Sequence, residues 1–186
     1  QNTLSRLQKN KNIKKINEPV SDLNNTLINL NIVGEGPELD KLKTISLNSN
    51  NKNNIIFHGK LKREDINHVF LNSDIYIQAS NYEGLPHSFL EAMSFGIPVL
   101  STPVGECKEI LKNEEIGYVL DLPVTKESIK SKIVEIISQK DIANIKGQKG
   151  RDFVFEKYDF KNILKLYKNL FEKLLKDKNR WKKFSY

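Results

Sequence analysis

Short β-rich apolar runs alternate with amphipathic stretches through the first two thirds of the chain, and this alternation restricts the fold more than any other feature. Residues 27–33 (LINLNIV), 54–58 (NIIFH), 74–78 (DIYIQ), 97–101 (IPVLS) and 117–122 (GYVLDL) read as buried strands. Between them, 37–47, 62–71, 88–95 and 106–112 carry helix-like periodicity. Strands separated by single helical crossovers build βαβ units, hence a parallel sheet with helices on both faces. The expected fold class is α/β, a doubly wound parallel sheet. Residues 2–7 read as a truncated opening strand, and the absence of an initiator Met points to a piece of a longer chain.

After Leu122 the pattern turns helical. Thr125, with Ser128 three residues on, opens one helix, and 142–158 forms a second. Asp159 is a good N-cap for a third. That third helix carries Ile163, Leu166, Tyr167, Leu170, Phe171, Leu174 and Leu175 as an apolar stripe.

Composition matters chiefly for what it excludes. With 38% hydrophobic and 28% charged residues, the chain resembles an ordinary folded domain and not a disordered one. It has no run of about 18 apolar residues for a membrane span. A single cysteine, Cys107, cannot form an intrachain disulfide or a structural zinc site, which favours a reducing compartment. The formal charge of +7 invites a nucleic-acid partner, but its distribution argues otherwise. Nine Lys or Arg and two acids lie within 161–186, leaving 21 of each sign, from totals of 30 and 23, on the neutral remainder. The expectation is no nucleic-acid partner. The basic amphipathic tail, with Trp181, Phe184 and Tyr186, has the pattern of a peripheral contact with an anionic membrane, against the plainer reading that the helix packs on the domain.

In open parallel sheets, ligands bind beyond the carboxyl ends of the strands. The segments to inspect are therefore 34–38, 59–61, 80–91 and 102–106. Gly34-Glu35-Gly36-Pro37-Glu38 follows a strand and opens a helix, but Leu39 stands where a dinucleotide fingerprint has its third glycine, so hydride transfer is disfavoured. The segment 80–99 (SNYEGLPHSFLEAMSFGIPV) is more specific. A strand ends near Ser80, a loop holds Gly84 and Pro86, and a short helix follows to Gly96. Amides at that helix start form an anion site reinforced by the helix dipole. Glu83 lies in the loop and Glu91 is expected in the first turn of the helix, where two carboxylates can flank a ligand. The competing reading makes Ser88 and Glu91 a capping box and Glu83 a solvated acid. His58 and His68 have no acidic or metal-like partner at a telling spacing and read as structural or surface residues.

The Glu83-x7-Glu91 pattern within EGLPHSFLEAMSFGIPVLSTPVG resembles the retaining glycosyltransferases of family 4, which have the GT-B fold. Ser5-Arg6-Leu7 followed by Lys11-Asn12, then LNIVGEGPE, IFHG and SDIYIQAS, match that family in order. The resemblance implies a Rossmann-like doubly wound sheet with a C-terminal helical extension, one half of a GT-B enzyme. It implies residues 1–160 as a nucleotide-sugar-binding domain and 161–186 as a basic amphipathic helix and tail. The acceptor domain would precede Gln1, and this chain alone would be inactive.

By the same resemblance, Arg6, Lys11 and Glu83 are the catalytic candidates. Arg6 offers a guanidinium fork and Lys11 a point charge to a leaving diphosphate. Glu83 would position the donor sugar or stabilise positive charge at its anomeric carbon. Gly34, Gly59, Lys60, Leu61, Gly84, Leu85, Pro86, His87, Ser88 and Glu91 are the donor-binding candidates. Glu91 would accept from the ribose hydroxyls, and 59–61 would meet the base. No cofactor and no metal are implied, and the sequence carries no Asp-x-Asp. The donor would be a nucleotide-diphosphate sugar, UDP-sugar favoured. The acceptor would be a glycan or lipid-linked hydroxyl in surface polysaccharide or glycolipid assembly, and the location cytoplasmic, peripheral on the inner membrane face. One departure is Glu106, which replaces a second glycine usual after Gly105. The alternatives are another GT-B sugar-nucleotide enzyme, an epimerase or polysaccharide synthase, or a non-enzymatic basic module binding membrane or nucleic acid.

Overall fold

The structure, a computed structural model, describes residues 11–16, 28–47, 54–112 and 114–176. Five strands and seven longer helices follow in the expected alternation. They are β1 (Leu30–Val33), α1 (Leu39–Leu47), β2 (Ile55–Gly59), α2 (Arg63–Leu71), β3 (Tyr76–Gln78), α3 (His87–Ser94), β4 (Val99–Ser101), α4 (Glu106–Ile110) and β5 (Tyr118–Val119). The helices α5 (Lys126–Ser138), α6 (Lys140–Lys157) and α7 (Phe160–Lys176) complete the chain. A single helical turn at 13–16 precedes β1. The expected opening strand at 2–7 lies outside the described residues.

All the strand pairs are parallel, as short strands joined by helical crossovers require. β1 pairs with β2, and β3, β4 and β5 pair in that order. Among the described residues, no backbone ladder joins β1 to β3. A cavity of about 620 Å³ runs between them, lined by Leu30, Ile32, Ile75, Ile77, Ile133 and Ile136. Isoleucines and leucines of β1, β3 and α5 share its lining with polar residues such as Asn31, Asp74 and Gln78, and at one end it reaches Lys11, Ser80, Glu83 and Ser88.

Apolar residues of the strands and of the inward helix faces form three cores. Leu42 packs with Ile32 and Ile55 beside β1 and β2. Phe89, Ala92 and Met93 of α3 pack with Val99, Cys107 and Leu111. Ile129, Ile133 and Ile136 of α5 pack with Leu100, Tyr118 and Leu120. Phe89 and Met93 are wholly buried, each contributing roughly 1.5–3 kcal/mol relative to exposure. α6 lies close to the end of α3 because it carries glycines there: a Cβ on Gly147 would stand 2.2 Å from the Gly96 carbonyl oxygen.

Helix ends follow the chemistry of the capping residues. Thr125 and Ser128 form a reciprocal capping box on α5. Asp159 accepts from the Lys161 amide at 3.1 Å, starting α7. Most of the apolar stripe of α7, however, is not packed on the domain. Leu166, Tyr167, Leu170, Phe171 and Leu175 are all exposed, and α7 meets α6. The plainer reading of that helix is thus corrected in part: Ile163 and Leu174 are half-buried, but most of its apolar stripe is exposed.

Candidate functional site

Within each sheet the parallel strands end on the same side, β1 with β2 and β3 with β4, and the bond from Arg63, just after β2, to Glu91, after β3, brings the two sets of ends together. Gly34 follows β1 and Gly59 closes β2, and the Gly34 amide donates to the Gly59 carbonyl at 2.8 Å. Lys60 is exposed and Leu61 partly buried just beyond. After β3 the chain runs through Ala79 and Ser80, both buried, into the loop that holds Glu83.

Two donors meet at Glu83, and a third side chain braces its loop. Lys11 Nζ donates to Glu83 Oε1 as a charge-assisted pair across 72 residues of sequence. Ser80 Oγ donates to the same oxygen at 2.7 Å. Asn12 ties the strip before the 13–16 turn to the other side of the loop, donating to the Ala79 carbonyl at 2.7 Å and to Asn81 Oδ1 at 2.6 Å. Asn12 has φ +52°, a left-handed conformation that asparagine tolerates better than most residues. The Glu83 carboxylate is only 12% exposed. It is therefore not the solvated loop acid of the plainer reading: it is held by two donors at the mouth of the strands.

The loop around Glu83 is braced from behind by the loop that follows β4. Thr102 Oγ1 donates to the Ser80 carbonyl at 2.6 Å, and the Glu106 amide donates to the Gly84 carbonyl at 3.1 Å. Gly105, at φ +54°, lies so close that a Cβ would stand 2.3 Å from the carbonyl oxygens of both Glu83 and Gly84. Close backbone approach is thus achieved through Gly105, with Glu106 exposed at the start of α4. Around Gly84, in contrast, a Cβ would meet nothing within 4 Å.

Pro86 is buried at the N-cap of α3, with His87 exposed and Ser88 partly buried in the first turn; Leu85 packs on the α3 core. Glu91 is the fifth residue of this helix. It lies in the second turn, not the first, because the helix begins at His87. Nor do Ser88 and Glu91 form a capping box. Ser88 Oγ bonds the Tyr76 hydroxyl at 2.8 Å, which also donates to Gln78 Oε1 at 3.2 Å. Burial holds the Tyr76 hydroxyl well above the usual tyrosine range, so it stays protonated. Glu91 Oε1 accepts from Arg63 Nη1 at 2.7 Å.

The structure therefore brings Lys11, Glu83, Gly84, Leu85, Pro86, His87 and Ser88 into one neighbourhood, with Glu91 on the next turn of α3. Gly34, Gly59, Lys60 and Leu61 line the same edge at β1 and β2. Arg6 lies outside the described residues. Asn12, Arg63, Thr102, Gly105 and Tyr76 join the site only in three dimensions, though Asn12 is adjacent to Lys11. His58 bonds Asn31 at 2.8 Å, a structural role as expected, and Cys107 is buried with its thiol pushed upward by desolvation. Among the described residues, no three His, Cys, Asp or Glu side chains cluster as metal ligands, and no helix is long and apolar enough to cross a membrane.

Residues 3–153 match the model of the glycosyl transferases group 1 family. The chain belongs to that family. It is 33% identical over 177 residues to an uncharacterized glycosyltransferase of Methanocaldococcus jannaschii, covering 92% of this chain and 44% of that protein. It is 26% identical over 141 residues to a UDP-Gal:alpha-D-GlcNAc-diphosphoundecaprenol alpha-1,3-galactosyltransferase of Escherichia coli, covering 75% of this chain and 35% of that one. The solved C-terminal domain of a group 1 glycosyltransferase (LpcC) from Francisella tularensis is similar at TM-score 0.75 and 26% identity, covering 83% of each chain. The chain thus spans less than half the length of these curated relatives, and its α/β architecture is that of a GT-B carboxyl-terminal domain.

Proposed function

We propose that this chain is the donor-binding half of a retaining glycosyltransferase that moves a sugar from a nucleotide diphosphate to a hydroxyl. The observation that carries this reading is the Glu83 carboxylate, held by Lys11 and Ser80 at the carboxyl ends of the strands beside the start of α3. A leaving diphosphate needs positive charge and oriented N–H donors. Lys11 supplies the first, with Arg6 as its companion in this reading. The amides from Gly84 to Ser88, at the positive end of α3, supply the second. Glu83 is then near enough to Lys11 to face the sugar next to that diphosphate, positioning it or stabilising positive charge at the anomeric carbon. The bond from that carbon to the diphosphate oxygen breaks, the acceptor oxygen bonds on the same face, and the acceptor proton leaves with the diphosphate. In this reading charge neutralisation falls to side chains and backbone, without a metal.

Glu91 accepts from the ribose, and 59–61 meets the base. UDP is the favoured nucleotide and a lipid-linked or glycan hydroxyl the favoured acceptor; the name of the Escherichia coli relative supports both. Acceptor binding and turnover belong to the remaining part of a protein of the relatives' length. Another GT-B enzyme class, an epimerase or a polysaccharide synthase, would use the same donor site.

The test is calorimetric titration of the chain with UDP, GDP and ADP, repeated on Lys11→Met and Glu91→Ala and in EDTA. The expected result is binding of UDP, weakened about tenfold or more by either substitution and indifferent to EDTA. A folded chain that binds none of the three nucleotides overturns the reading.

A second reading concerns α7. Its polar face carries Lys161, Lys165, Lys168 and Lys173 against Glu172, and most of its apolar half is exposed. This charge pattern favours an anionic bilayer as its occupant. Sedimentation with vesicles containing anionic lipid, abolished by Leu170→Glu with Phe171→Glu, is the expected result. Equal sedimentation with neutral vesicles, or none with either, refutes it.

A further inference from the structure

The Glu91 carboxylate has one hydrogen-bond partner among the described residues, the guanidinium of Arg63 at 2.7 Å. The pair joins two elements that bracket the nucleotide end of the proposed site. Arg63 opens α2, four residues after Gly59 closes β2, and Glu91 lies one turn past the start of α3. Arg63 is 58% exposed and Glu91 26%. An ion pair this exposed contributes roughly 0–1 kcal/mol to folding, so it does little to hold the domain together.

What it does do is geometric. A lone carboxylate on a helix samples several rotamers and offers four lone-pair directions. Arg63 fixes Oε1, and so fixes where Oε2 points. A ribose presents two adjacent hydroxyls, and recognising both requires an acceptor at one set position and angle. Lys60 and Lys62 flank the same turn and are exposed, but neither is bonded to Glu91. Arg63 is also the better residue for this task, since a planar guanidinium directs its donors where an ammonium does not.

We infer that Arg63 is a positioning residue that makes the site selective for ribonucleotides by orienting Glu91 toward the ribose hydroxyls. This rests on the donor-site reading above. Arg63 itself need not touch the nucleotide. Its loss is therefore felt in the distinction between ribose and deoxyribose more than in overall anion binding.

The test is titration of the 186-residue chain with UDP and with 2′-deoxy-UDP, on wild type, Arg63→Met, Arg63→Lys and Glu91→Gln, with circular dichroism and thermal unfolding as fold controls. Methionine keeps an unbranched stem and removes the charge and donors. The expected result is a wild-type preference for UDP of about tenfold. Arg63→Met should bring the two nucleotides within about twofold of each other, mainly by weakening UDP, with unfolding unchanged. Arg63→Lys should restore part of the preference, and Glu91→Gln should lose it as Arg63→Met does. A preference intact in Arg63→Met overturns the inference while leaving the donor site standing. Tighter UDP binding in Arg63→Met also overturns it, since Arg63 would then compete with the ribose for Glu91. A wild type that binds UDP without preference removes the selectivity. A wild type that binds neither nucleotide removes the donor site and the inference together.

Discussion

Replacing Gly105 by alanine tests the bracing of the Glu83 loop. The added Cβ would stand 2.3 Å from the carbonyl oxygens of Glu83 and Gly84 and 2.9 Å from the Glu83 carbonyl carbon, where ordinary contact begins at 3.4 Å. Both oxygens are backbone, so no side chain can swing away, and about 1 Å of main-chain movement is required. The backbone at φ +54°, ψ −141° adds its own penalty, of order 1–3 kcal/mol for a residue with a side chain. Movement relieves part of the clash, so the net loss should be about 2–4 kcal/mol, or roughly 4–16 °C in Tm for a chain of this size.

The displaced atoms belong to Glu83 and Gly84, so nucleotide affinity should fall along with stability. Differential scanning fluorimetry and a UDP titration read the two effects separately. Gly84→Ala is the comparison, because a Cβ there meets nothing within 4 Å. Its Tm should stay within about 2 °C of wild type, and any loss of UDP affinity then reports on the ligand's approach. If Gly105→Ala unfolds with the wild type and binds UDP equally, the bracing described above is wrong.

Three further outcomes follow from particular contacts. Gly147→Ala places a Cβ 2.2 Å from the Gly96 carbonyl oxygen and should destabilise by about 2–4 kcal/mol in urea denaturation, by forcing α6 away from α3. Thr125→Ala removes the cap on α5 and should cost about 1 kcal/mol, with Thr125→Ser close to wild type by the same measurement. Tyr76 is raised in the fold, so its contribution is present below the ordinary tyrosine value near 10 and is lost as pH rises above it, by up to about 1.4 kcal/mol per pH unit. Tyr76→Phe should therefore be less stable than wild type at pH 8, through its unpaired Ser88 and Gln78, with the gap closing by pH 11. A gap that widens with pH would contradict the burial of that hydroxyl.

Much of this architecture could be read from local pattern. The strands at 30–33 and 55–59 and the helices at 63–71 and 126–138 lie within a few residues of where periodicity and caps put them. Thr125 with Ser128, and Asp159 before α7, act on amides two or three residues away. Glu83, Lys11 and Glu91 stood out through motif spacing. The reading of Ser88 and Glu91 as a capping box failed for a related reason. The spacing permits that box, but Tyr76 lies twelve residues back on a neighbouring strand and takes the Ser88 hydroxyl, while Arg63 takes the carboxylate. Likewise the apolar stripe of α7 was legible, but not whether anything covers it.

The sequence by itself determined the order and kind of the elements, their ends, and which residue types crowd the strand termini, because those depend on neighbours within one helical turn or one strand repeat. The tertiary structure alone decided the partnerships. Lys11 meets Glu83 across 72 residues, Arg63 meets Glu91 across 28, and Gly105 presses on the backbone of Glu83. Such pairs depend on how parallel strands line up side by side, and that arrangement is a property of the whole core, which no local window contains.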